Sequence, residues 1–178
     1  NDITKCINLK FPNLKTKIIK ISYALNLNNK IETKKRNLIT FMSRKLPQHT
    51  SLVANYLKNN LPRNWMLKNI HQLSEKETYS ILKKSKIFLA FSSFEGLPLP
   101  PVEAALAGNY VIGYTGEGGD EYWKKPIFTR INSGDIKHFV KSINEKVKFL
   151  KKNKKITKKN FINLKNKFSS ENEKKSLI

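Results

Sequence analysis

The run Ile87-Phe-Leu-Ala-Phe91 narrows most sharply what this chain can fold into. It contains no polar residue, so a strand made from it shows apolar side chains on both faces. Such strands sit inside parallel sheets covered by helices on both sides, whereas a half-solvated strand alternates apolar and polar. Its neighbours fit that setting. Leu38-Ile-Thr-Phe-Met42, Trp65-Met-Leu-Lys-Asn-Ile70, Tyr110-Val-Ile-Gly113 and, more weakly, Ile127 to Ile131 read as further strands. Helical spacing over Ser51 to Leu57 separates the first two. Ser74 opens another helix, with Glu75 and Glu77 in its first turn and Lys83 and Lys84 at its end, the charge order that the helix dipole favours. A short helix is expected over Pro101 to Ala107, stopping at Gly108. Strands alternating with helices at this spacing predict βαβ units and an α/β parallel sheet flanked by helices.

Three regions follow. Residues 1–36 read as a lead-in and linker from a preceding lobe, with a strand over Lys17-Ile-Ile-Lys-Ile-Ser-Tyr23, a break at Asn26 to Lys30 and a charged stretch from Glu32 to Arg36. Residues 37–155 form the Rossmann-like domain. Residues 156–178 form a helical tail. Before it, Ile136, Phe139, Val140, Ile143, Val147 and Leu150 fall on one helix face with lysines opposite. A second helix is expected from Thr157 to about Phe168, using Phe161, Leu164 and Phe168. These stripes are packing surface. The first segment reads like the middle of a longer polypeptide, and the chain is expected to be part of one.

The formal net charge is +22, which raises the reading of a basic nucleic-acid-binding domain. The composition argues against it. Arginine occurs only at positions 36, 44, 63 and 130, whereas nucleic-acid surfaces favour the bidentate guanidinium. The lysines are spread through the predicted helices, as a general compositional bias would spread them. Surplus charge would still suit peripheral contact with an acidic membrane. Cys6 is the only cysteine, so no intrachain disulfide can form, in keeping with a cytoplasmic location. No run of about 18 apolar residues marks a transmembrane helix.

Ligands of open parallel sheets bind beyond the carboxyl ends of the strands. Ser43, Arg44 and Lys45 follow the first strand. His71 and Gln72 follow the second. Ser92, Ser93, Glu95 and Gly96 follow the third, and Tyr114, Thr115, Gly116, Gly118 and Gly119 the fourth. Four successive loops at one edge thus carry polar, basic or glycine residues, and the opposite edge has no such concentration. That pattern marks a binding site. None of the three histidines falls in a metal-binding cluster, and His138 is expected at the surface.

The segment from Phe88 to Glu121 carries more. It contains Glu95-Gly96, a proline-containing turn, Glu103 after seven intervening residues, then Ala-Ala-Leu-Ala-Gly108 and Gly118-Gly119-Asp120-Glu121. This resembles the donor-binding signature of retaining glycosyltransferases of the GT-B fold, family 4 type, in their C-terminal lobe. The resemblance implies transfer of a hexosyl or deoxyhexosyl unit from a nucleoside-diphosphate sugar, with retention at the anomeric carbon. It implies no cofactor and no metal, since no Asp-x-Asp is present. The other partners implied are an N-terminal lobe and an acceptor such as a glycan or lipid-linked sugar, at the inner face of a membrane. An epimerase or phosphorylase on the same two-lobe fold is the rival enzyme reading.

Carried over position by position, Glu95 contacts the donor sugar and Glu103 the ribose hydroxyls. Glu95 is expected in a loop and Glu103 inside the helix that begins near Pro100 or Pro101. Gly96, Leu97 and Leu99 offer backbone amides to the diphosphate at the positive helix end. Pro98 stands where the family often has glycine, and it has no N–H to give. Arg44 matches the family's arginine after the first strand. The family's lysine position falls near Gln48 or His49, so Lys45 is the expected substitute. His71 and Gln72 lie where similar enzymes seat the base, and Ser93 is expected beside the donor.

Overall fold

A computed structural model describes residues 2–19, 21–25, 34–152 and 158–177. They fall into two compact units, one of Asn1–Asn26 with Asn166–Ile178 and the other of Leu27–Lys165.

The larger unit is a five-stranded, fully parallel sheet in the order β2-β1-β3-β4-β5. Its strands are β1 (Leu38–Phe41), β2 (Met66–Asn69), β3 (Ile87–Glu95), β4 (Tyr110–Glu117) and β5 (Phe128–Arg130). In the first unit α1 spans Asp2–Lys10; the sheet's helices are α2 (Pro47–Asn60), α3 (Glu75–Lys84), α4 (Leu99–Leu106) and α5 (Ile136–Lys151). The apolar strands explain the layering. Alternate residues Ile87, Leu89 and Phe91 of β3 and Tyr110, Ile112 and Tyr114 of β4 pack on Val53 and Leu57 of α2 and on Phe139, Ile143 and Val147 of α5. The intervening Phe88, Ala90 and Val111 are equally buried on the other face, the face that α3 and α4 cover.

Ser74 caps α3 with a complete capping box, its hydroxyl accepting from Glu77 N–H while the Glu77 carboxylate accepts from Ser74 N–H. Lys35 closes the amino edge of the sheet, its ammonium donating to the carbonyls of Lys83 (2.9 Å), Ser85 (2.8 Å) and Ala107 (2.7 Å), where α3 and α4 end. The buried Asn109 amide donates there to the carbonyls of Leu82 and Ala104. Polar groups at that edge are therefore spent on one another.

Two strand ends depart from the sequence reading. Ser92, Ser93 and Glu95 belong to β3 rather than to a loop, and β4 runs past Gly113 to Glu117. The two strands remain paired to Glu95↔Glu117 because Gly113 lets the backbones close. A Cβ at Gly113 would collide with the Ala90 backbone. Helix α4 begins at Leu99, one turn position before the expected prolines.

In the smaller unit, the strand expected over Lys17 to Tyr23 does not form: residues 17–19 and 21–23 have no regular secondary structure, and position 20 lies outside the described residues. A strand needs a neighbour strand, and the residues at and just after the end of this segment bond to the C-terminal residues instead. Ser22 N–H donates to Ser176 Oγ (2.8 Å), Ala24 N–H to Glu173 Oε1 (3.0 Å) and Leu25 N–H to the Phe168 carbonyl (3.0 Å). The second tail helix, α6, spans Lys158–Lys167 and up to Lys165 belongs to the larger unit, where it buries Phe161 and Leu164; Thr157, its expected start, lies outside the described residues. It is followed by α7 (Ser170–Lys175), which sequence reading did not anticipate, nor did it anticipate α1.

Candidate functional site

Strand order places the site. The chain leaves β1 through α2 toward β2, and leaves β3 through α4 toward β4. The two crossovers diverge from adjacent strands, so a crevice opens beyond the carboxyl ends of β1 and β3, where strand order reverses. Lys45 lies in the loop after β1. Glu95 ends β3. Their side chains meet in an ion pair, Lys45 Nζ to Glu95 Oε2 at 2.5 Å. The Glu95 side chain is 19% exposed and that of Lys45 39%.

A bulge sets the direction of Glu95. The pairing runs Ser92↔Thr115 and then Glu95↔Glu117, so β3 contains one more residue than β4 over this step. Bulges re-aim side chains at strand ends. Ser93 and Phe94 are turned outward in it, Phe94 almost fully exposed at 84%.

The glycine-rich stretch after β4 folds back on the Glu95 turn. Gly118 N–H donates to the Glu95 carbonyl (3.0 Å). A Cβ at Gly118 would strike the carbonyl oxygens of Gly96 and Glu95, so no other residue permits this approach unshifted. Tyr122, buried, donates its hydroxyl to the Pro98 carbonyl at 2.7 Å. Burial first, and then the Glu95 and Glu121 carboxylates, push that hydroxyl well above the usual phenol range, so it stays a donor. Asp120, in the same stretch, pairs with Arg130 at the end of β5 (2.9 Å). The turn from Gly96 to Pro98 is thus fixed from below by Gly118 and Tyr122.

The start of α4 offers few backbone amides. Its N-cap is Pro98 and no side chain caps it, but Pro98, Pro100 and Pro101 have no N–H. Leu99 is the one donor among those four positions, with Gly96 and Leu97 before it. Helix α2 likewise starts without a side-chain cap, at Leu46 in the left-handed region (φ 48°). Gln72 (φ 51°) and Glu117 (φ 65°) are the other non-glycine residues in that region among the described residues. Leu46 and Gln72 follow β1 and β2, and Glu117 is the last residue of β4. Each such conformation stores on the order of 1–3 kcal/mol, and strained backbone of this kind gathers where function requires it.

Glu103 lies half-buried in α4, and its side chain makes no hydrogen bond or ion pair with the described residues. Burial, and secondarily the charge of Glu75 in the first turn of α3, raise its carboxyl above the usual range. It is a carboxylate in want of donors, within electrostatic reach of Glu75 in the first turn of α3. Arg44 is exposed and unpaired among the described residues. His71 and Gln72 are exposed after β2.

The site also contains residues that the sequence did not single out. Asn69, the last residue of β2, accepts from Ser43 N–H (3.2 Å) and donates to Ser43 Oγ (2.8 Å), tying the ends of β1 and β2. Its place at a predicted strand end was the available signal. His49, in the first turn of α2, packs edge-on against Tyr114 (centroids 5.7 Å apart) with its Nδ1 buried and without a hydrogen-bond partner. His138 is exposed, as expected, beside Asp135.

Among solved structures, 99% of the chain is similar to 42% of the pneumococcal O-GlcNAc transferase GtfA, solved in complex with UDP and GlcNAc, with a TM-score of 0.63 and 14% identity. A chain of the GtfA/B complex matches over 98% of this one and 42% of its own length, with a TM-score of 0.57 and 13% identity. The chain thus spans less than half the length of these structures. At such identity the likeness is one of fold: a Rossmann-like α/β domain of the type found in GT-B glycosyltransferases. No family model and no curated protein matches the chain.

Proposed function

We propose that this chain is the donor-binding lobe of a retaining GT-B glycosyltransferase, binding a nucleoside-diphosphate sugar at the β1/β3 crevice. The observation that supports the reading is the Lys45–Glu95 ion pair across the β1/β3 crevice, with Arg44 next to Lys45 in the loop after β1. A nucleoside-diphosphate sugar needs cations for its diphosphate and acceptors for the hydroxyls of its two sugars. This edge supplies both. GtfA, similar in fold, was solved with UDP and GlcNAc, which supports a ligand of the same chemical class.

In this reading Arg44 and Lys45 hold the diphosphate and stabilise the charge that grows on it as the glycosidic bond breaks. The amides of Gly96, Leu97 and Leu99 add to that field. Glu95 accepts from sugar hydroxyls and Glu103 from the ribose. His71, Gln72 and Ser93 line the approach of the base and sugar. Two side-chain cations make a metal ion unnecessary to hold the diphosphate. The acceptor, a glycan or lipid-linked sugar, would meet the donor from a second lobe, and the reaction would run in the cytoplasm beside the membrane. Among the described residues no helix is long and apolar enough to cross a membrane.

The test is a thermal-shift and calorimetric panel of UDP, GDP, ADP and dTDP with their glucose, mannose or rhamnose conjugates. One base should raise the melting temperature, since a ligand bound only to the folded state stabilises it by mass action. A chain indifferent to all four would not be a donor-binding lobe.

A further inference from the structure

We propose that the Lys45–Glu95 ion pair discriminates between a nucleoside diphosphate that carries a sugar and one that does not. The inference rests on the donor-binding reading above and assigns to the pair a selectivity which that reading does not require.

In this structure Glu95 and Lys45 occupy one another. An ammonium is a pure donor and a carboxylate a pure acceptor, so neither can satisfy a diphosphate and a sugar while fully engaged with the other. A diphosphate entering the crevice attracts Lys45 and is repelled by Glu95. Drawing Lys45 onto the phosphates leaves Glu95, four-fifths buried, without a counter-charge, and a desolvated carboxylate without partners is strongly unfavourable. A ligand with the sugar attached avoids that penalty, because its hydroxyls donate to Glu95 as Lys45 departs. The bare diphosphate has no such donors. Glu95 then reclaims Lys45 and weakens the hold on the phosphates. Arg44 has no ion pair of its own among the described residues, so it serves both ligands alike and does not discriminate. Position matters as much as charge: Gly118 N–H holds the Glu95 carbonyl and Tyr122 the Pro98 carbonyl just after it, so the backbone that carries the carboxylate is anchored at the crevice.

The experiment is isothermal titration calorimetry on the chain, using UDP, GDP, ADP and dTDP to find the accepted base. That diphosphate is then compared with its sugar conjugate (UDP-glucose, GDP-mannose, ADP-glucose or dTDP-rhamnose). Glu95→Gln keeps the side-chain shape and removes the charge. It should tighten the bare diphosphate and loosen the conjugate, each by about tenfold, which is the 1.4 kcal/mol scale of one charged contact. In a Lys45→Met background the tightening should vanish, because no cation remains to be released. If Glu95→Gln changes both ligands alike, or tightens the diphosphate equally without Lys45, the selectivity proposal is wrong although the donor site stands. If the unaltered chain binds none of the four diphosphates, the donor reading fails and the proposal falls with it.

Discussion

Lys45, after β1, and Glu95, at the end of β3, are joined at 2.5 Å across the two strands where the order of the sheet reverses. The pair is neither a fully exposed bridge nor a fully buried one. Exposed bridges contribute about 0–1 kcal/mol, and breaking a buried one costs about 3–5 kcal/mol. Lys45→Met should therefore destabilise the fold by about 1–2 kcal/mol, chiefly by stranding Glu95. Adding Glu95→Gln should recover most of that loss. Chemical denaturation of the two single variants and the double variant closes the cycle. Strict additivity would mean that the two groups do not interact in solution.

Glu103 should behave in the opposite sense. Its carboxyl is raised by burial and by Glu75. A carboxyl with a higher pKa folded than unfolded burdens the folded state once ionised. Stability from this group is thus greatest at low pH and is lost as pH rises through the unfolded and then the folded value. Glu103→Gln should raise the melting temperature at neutral pH and leave it unchanged at acid pH. Binding should show the reverse, because donors from a ribose favour the ionised form. Nucleotide affinity should fall as pH drops through the raised Glu103 pKa, and Glu103→Gln should weaken free nucleotide and nucleotide sugar alike. A variant that binds both ligands as before would remove Glu103 from the site.

Tyr122→Phe deletes one hydroxyl and leaves the Pro98 carbonyl without its 2.7 Å donor. A loss of about 1–3 kcal/mol is expected for a buried acceptor left unsatisfied. The turn carrying Gly96 to Leu99 should loosen, seen as faster amide hydrogen exchange there. Unchanged exchange would show that Gly118 alone holds the turn.

Gly118→Ala places a methyl group against the carbonyls of Gly96 and Glu95. The loops must separate, at about 1–3 kcal/mol of overpacking strain. Gly96→Ala is the control, since nothing lies within 4 Å of its added Cβ. Unfolding curves for the two should differ clearly; equal losses would contradict the packing described.

Arg44→Ala tests the phosphate assignment. Binding of the nucleoside diphosphate should weaken by about 1.5–3 kcal/mol, as for a hydrogen bond to a charged group, while nucleoside binding is spared. Equal losses for both ligands would place Arg44 away from the phosphates.

Most of the architecture was legible because it is written in local periodicity. The unbroken run Ile87 to Phe91 needs apolar cover on both faces, and only a parallel sheet between helix layers gives that. Ser74 with Glu77 announced the start of α3 through its own capping chemistry. The start of α7 carries the same kind of signal: Ser169 Oγ accepts from Asn172 N–H, with Glu171 and Glu173 in the first turn and Lys174 and Lys175 in the last. The segment Lys17 to Tyr23 misled for a physical reason. Alternation makes a strand possible, but strand formation depends on a partner far away in sequence, and here Ser22 N–H goes to Ser176, and Ala24 and Leu25 just after it to Glu173 and Phe168.

Residue order and strand direction alone put Arg44, Lys45 and Glu95 at one edge of a parallel sheet, because they settle which end of each strand a residue follows. Tertiary structure decided which of them touch. The polar stretch Ser92 to Glu95 joins β3 only because β4, bare of side chains at Gly113 and Gly116, comes close enough to pair with it. The resulting bulge directs Glu95 across to Lys45, fifty residues earlier in the chain. Helical and strand propensities act over a few neighbours and so leave their mark in the sequence. A contact between two loops depends on how the strands beneath them are ordered, and that order exists only once the sheet has formed.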